Sequence, residues 1–74
     1  MKITVKLFAT FRINREKIQT FDINEGTLVA DIIKILGIEA SEIAILLING
    51  RDGQIDMPLA DGDVLALFPP VGGG

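Results

Sequence analysis

The chain has 74 residues, enough for one small domain. Folding at this size hides only about 60% of the unfolded surface, so stability must come from dense apolar packing. Hydrophobic residues make up 49% of the chain and both cysteine and histidine are missing, which excludes a disulfide framework, a thiolate metal site and the commonest nucleophiles and near-neutral acid–base groups. The net charge is -3 with no basic stripe, so nucleic acid is not an expected partner.

Ile3, Val5 and Leu7 alternate with Lys2, Thr4, Lys6 and Phe8, the period of two that marks a strand with one buried face. A loop is expected near Thr10 to Glu16. "KIQTFDIN" then reads as a second strand with Gln19, Phe21 and Ile23 on one face, pairing with the first as an antiparallel hairpin. Ile18 is out of phase there, which predicts a bulge or a shifted strand start. "EGTLVADIIKILG" predicts an amphipathic helix with Thr27 as N-cap, Asp31 near the positive end of the helix dipole and Gly37 at C′. Its apolar stripe is Leu28, Ile32 and Leu36 with Val29 and Ile33 beside them, and residues 38–42 connect it to the next strand.

"IAILLINGRDGQI" is a nearly continuous apolar strand that ends at Asn49-Gly50, a tight-turn signal. Such a strand is either buried on both faces or lays its second face against another protein. "MPLADGD" supplies turn chemistry through Pro58 and Asp61-Gly62, with or without a short strand beside it, and leads into a last strand from Asp63 to Phe68. Leu65 and Leu67 share one face of that strand, and Val64, Ala66 and Phe68 share the other. One helix covers only one face of a four- or five-stranded sheet, so an α+β domain of two layers with an open face is predicted. First and last strands lying parallel in the middle would bring Phe8 and Phe68 together on that open face, either as an anchor for a partner or packed on each other.

Pro69 and Pro70 have no N–H for a sheet ladder, so the chain must leave the sheet there by a stiff path. Val71 to Gly74 can reach roughly 14 Å further. Glycine is a poor choice for stability and a good one for threading, because without Cβ it fits a narrow channel and leaves a terminal carboxylate unshielded. The expected division is a domain over residues 1–70 and a flexible glycine tail over residues 71–74.

Charge is sorted along the chain. Lys2, Lys6, Arg12, Arg15 and Lys17 meet only Glu16 within residues 1–20, whereas Lys34 and Arg51 are the only cations beyond them. That is either ordinary solubilising charge or a dipolar surface that steers a protein partner. The longest wholly apolar run, Ile43 to Ile48, is far short of the ~20 residues that span a bilayer, so no membrane association is expected. The start "MKITVKLFAT" has no continuous apolar region and no small-residue cleavage site, and with the lack of cysteine it suits a cytoplasmic protein beginning at Met1.

With "KLFATFR", "EGTLVADIIKIL", "LLING" and above all "PLADGDVLALFPPVGGG", the chain resembles, over essentially its whole length, the small sulfur-carrier subunit of molybdopterin synthase. The resemblance implies a ubiquitin-like β-grasp fold. It further implies that the Gly74 carboxylate is adenylated by a ubiquitin-activating-type enzyme using ATP and magnesium. A sulfur donor such as a cysteine desulfurase then converts it to a thiocarboxylate, which delivers sulfur inside the large catalytic subunit of the synthase.

By position, Gly72 and Gly73 match the threading segment, Pro69, Pro70 and Val71 its stem, and Phe8 and Phe68 the partner-binding face. The carrier would act as the sulfur-donor subunit, with no cofactor or metal bound and no catalytic side chain of its own. Two departures are Gly72, a third glycine that should loosen the tail, and the polar "RDGQ" after Asn49-Gly50. A carrier for thiamine biosynthesis, a protein modifier joined through Gly74 and a plain interaction domain are the alternatives.

Overall fold

The computed structural model describes residues 1–70. The elements follow the order β1 (Lys2–Leu7), β2 (Ile18–Asp22), α1 (Val29–Leu36), β3 (Ile45–Ile48), β4 (Arg51–Asp52) and β5 (Val64–Phe68), with short 3-10 turns at Ala9–Arg12 and Ala40–Glu42. The five strands form one mixed sheet in the order β2-β1-β5-β3-β4. β1 and β5 are parallel neighbours in its middle, and the other pairings are antiparallel.

Alternation decides which residues fill the core. Ile3, Val5 and Leu7 of β1 and Leu65 and Leu67 of β5 are all but fully buried, and Val29, Ile32 and Ile33 of α1 join them in one apolar cluster. Each such side chain contributes on the order of 1.5–3 kcal/mol relative to full exposure. Phe11, from the turn after β1, and Ile23, Ile38 and Leu59, from the connections, close the edges of the cluster. The layer of helix and sheet is therefore dry on one side, while the opposite face of the sheet carries no covering element among the described residues.

The β1–β2 hairpin pairs without interruption from Lys2 with Asp22 to Lys6 with Ile18. There is no bulge at Ile18: the strand begins at this residue, whose side chain lies outside the core and is 54% exposed. Gln19, Phe21 and Ile23 take the inward positions that alternation predicts. The Asn49-Gly50 turn has positive φ at both residues, 54° and 80°, which matches a tight hairpin turn between β3 and β4. β3 is not buried on both faces, since Leu46 points into the core and Ile45 is 50% exposed.

The helix start differs from the expectation of a Thr27 cap. Thr27 is committed to a turn, its hydroxyl donating to the Asn24 carbonyl at 2.8 Å and its amide to the same oxygen at 3.1 Å. Leu28 precedes the first helical residue instead, and the Leu28 amide donates to Asp31 Oδ2 at 2.9 Å. The free amides of the first turn are satisfied by main chain from the far loop: Val29 N donates to Met57 O at 3.0 Å and Ala30 N to Ile55 O at 2.8 Å. Gly37 ends the helix in the left-handed conformation, φ 75°, as expected.

Candidate functional site

Leu7 and Leu67 are paired across β1 and β5 and point into the core, so the next residue on each strand turns to the open face. Phe8 and Phe68 meet there, their rings stacked with centroids 4.2 Å apart and planes 9° from parallel. The Phe8 amide still donates to Leu67 O at 3.2 Å, which holds the two strand ends in step. Both rings remain half-buried. The stack is therefore packed on itself, one of the two alternatives that the sequence left open, and part of each ring stays at the surface.

Around it the sheet supplies an apolar floor. Ile45 lies opposite Phe68, and Ala66 and Leu47 form the row behind, with Lys6 beyond them on β1. Pro69 follows Phe68 and is buried, whereas Pro70 is exposed. The two prolines, Thr10, Phe11, Arg15 and Glu42 line an open recess of about 460 Å³ at the root of the tail. The structure thus brings Phe8, Phe68, Pro69 and Pro70 together at one end of the molecule. Val71, Gly72, Gly73 and Gly74 lie outside the described residues.

Three participants at this end were not singled out by the sequence reading. The Arg12 guanidinium carbon lies 5.2 Å from the Phe8 ring centroid, within cation–π range, and Arg12 Nε donates to Leu7 O at 2.8 Å. Phe11 plugs the core from the same turn. Arg15 Nε donates to Leu36 O at 2.9 Å and its Nη groups reach Phe11 O and Gly37 O at 3.4 Å each. The spacing of Phe8, Phe11 and Arg12 at i, i+3 and i+4 hints at a turn inside what reads as loop, but it does not tell that Phe11 goes into the core while Arg12 lies over the Phe8 ring.

Among the described residues no cluster of carboxylates could hold a metal ion and no helix is long and apolar enough to cross a membrane. This end offers an apolar patch beside the end of β5.

A mixed five-stranded sheet with parallel central strands and one helix across one face defines a ubiquitin-like β-grasp protein. The chain belongs to the ThiS family, whose model matches residues 5–74. Among solved structures it is similar to a protein described as a putative molybdopterin converting factor, subunit 1, from Pyrococcus furiosus, at 30% identity and TM-score 0.75, covering 96% of this chain and 99% of that one. It is also similar to the small archaeal modifier protein 1 of Haloferax volcanii, at 26% identity and TM-score 0.77, over 95% and 98% of the two chains. A third likeness, at 25% identity and TM-score 0.66 over the whole of both chains, is to a chain in the complex of subunits 1 and 2 of the molybdopterin-converting factor from Helicobacter pylori. None of the curated proteins matches the chain.

Proposed function

We propose that this protein carries sulfur as a thiocarboxylate on Gly74 and donates it to molybdopterin biosynthesis. The observation that carries the reading is the Phe8–Phe68 stack at the point where β5 passes into Pro69-Pro70, an apolar anchor placed at the root of the glycine tail. Supporting it are membership of the ThiS family and the likeness to molybdopterin-converting factor subunit 1. The chain's lack of cysteine and histidine fits a division of labour in which partners supply the catalytic side chains.

A carboxylate oxygen of Gly74 attacks the α-phosphorus of ATP, held with magnesium by an adenylating enzyme of the ubiquitin-activating type, and pyrophosphate leaves. A persulfide, formed by a donor such as a cysteine desulfurase, attacks the acyl carbon and expels AMP. A second thiol cleaves the resulting acyl disulfide, leaving the thiocarboxylate on the carrier and a disulfide on the donor side. Docking on a large catalytic subunit, of the kind that the Helicobacter pylori complex contains as subunit 2, then threads the tail toward the sulfur acceptor. The cytoplasm is the proposed site of this exchange.

The likeness to a small archaeal modifier protein favours a second reading, conjugation of Gly74 to lysines of other proteins. Thiamine biosynthesis is the other destination for carried sulfur. Intact-mass spectrometry of the protein from its own cells distinguishes the classes. A terminus at Gly74 with sulfur in place of one oxygen is expected for a carrier, and lysine adducts are expected for a modifier. An unmodified terminus would overturn both. Rescue of a molybdopterin-requiring deletion strain, and not of a thiamine-requiring one, is the expected pathway result.

A further inference from the structure

Arg12 is an exposed cation fixed against the open face. Its Nε is tied to Leu7 O at 2.8 Å and its guanidinium carbon lies 5.2 Å from the centroid of the Phe8 ring, which itself stacks on Phe68. Cation, ring and ring form a row that ends at the residue before Pro69. The arrangement is held at a conformational cost, because Ala9, the first residue of the turn, has φ 52°, a left-handed backbone that L-alanine adopts unwillingly. Hydrogen bonds from Phe11 N to Phe8 O and from Ile13 N to Thr10 O, 3.1 Å each, keep the turn closed. Among the described residues Arg12 donates to no carboxylate, and its contact with Leu7 O uses only Nε.

We propose that Arg12 is the specificity-determining cation of the docking surface. It pairs with a carboxylate that a protein partner presents beside the apolar recess receiving Phe8 and Phe68. The proposal rests on the functional reading above and adds the partner's chemistry to it. A planar guanidinium suits this place: one edge is fixed by Leu7 O, and the Nη edge matches a carboxylate in two parallel hydrogen bonds. Apolar centre and charged rim is the usual anatomy of a specific interface. Lys6, on the same face behind the aromatic pair, extends the positive side and reinforces the preference for an acidic partner.

The test uses the full chain and, as probe, the protein of the same organism that is similar to molybdopterin-converting factor subunit 2, with affinity measured calorimetrically at low and high salt. Wild type, Arg12→Lys, Arg12→Met and Arg12→Glu are compared. Methionine keeps apolar cover on Phe8 without the charge. Arg12→Met is expected to weaken binding roughly tenfold at low salt and to flatten the salt dependence, with Arg12→Glu weaker still and Arg12→Lys in between. Equal affinity and equal salt dependence for wild type and Arg12→Met would overturn the proposal. So would salt-independent binding by the wild type, a result that needs no variant to fold. A wild type that fails to bind while its terminus carries sulfur would overturn this proposal and leave the carrier reading standing.

Discussion

Arg12 and Arg15 stand three residues apart in the same loop, one turned to the open face and the other to the helix. Arg15 spans from Phe11 O to Leu36 O and Gly37 O, so a single guanidinium joins the loop after β1 to the C-terminal carbonyls of α1. A cation is favoured at that end of a helix, and each charged hydrogen bond adds to the effect. Arg15→Ala should lower the unfolding free energy by about 1–3 kcal/mol in urea titration. Arg15→Lys should recover only part of that loss, because one ammonium cannot reach three carbonyls in the same plane. Gly53 is a second residue whose identity is set by its surroundings. A Cβ there would stand 2.8 Å from Ile48 Cδ1 and 2.9 Å from both Ile48 Cγ1 and Leu46 Cδ2. Gly53→Ala is expected to destabilise by about 1–3 kcal/mol through overpacking, read by the same titration.

At the scale of elements, α1 shows what local pattern reveals and what it cannot. The apolar stripe and Gly37 are visible in the sequence because both depend on residues within one helix. The start was misplaced by one residue because capping is done from outside: Met57 O and Ile55 O take the first amides, and no local pattern in "EGTLVAD" announces those carbonyls. Asp31 is the one local contributor, accepting from Leu28 N. Asp31→Ala should therefore cost about 1 kcal/mol, which for a domain of this size is a fall in Tm of about 4–8 °C by circular dichroism. The same division holds at the candidate site. Alternation in β1 and β5 places Phe8 and Phe68 on the open face, and their contact follows once the strands are parallel neighbours. Arg12 was hidden because its position depends on a positive φ at Ala9, and alanine, unlike glycine or asparagine, gives no sign of that conformation.

For the whole molecule, the consequence of the β2-β1-β5-β3-β4 order is that the strand carrying the exit is held by the centre of the sheet. β5 has β1 on one side and β3 on the other, so Pro69 follows a strand that is held along both edges. Under the proposed function, one residue added after Gly74 turns the reactive carboxylate into an amide and moves the new terminus by roughly 3.5 Å. An amide oxygen cannot be adenylated, so thiocarboxylate formation should be abolished while Tm stays at the wild-type value. Gly72→Ala separates reach from rigidity. It keeps the length and the terminal group and removes part of the freedom that a glycine loses when it is ordered. If the partner's channel admits a methyl group at this position, docking should tighten by about 0.4–1 kcal/mol, a two- to fivefold gain in affinity by calorimetry, with the extent of adenylation unchanged. A loss of affinity instead, with the thermal transition intact, would show that the channel requires glycine at position 72 for space.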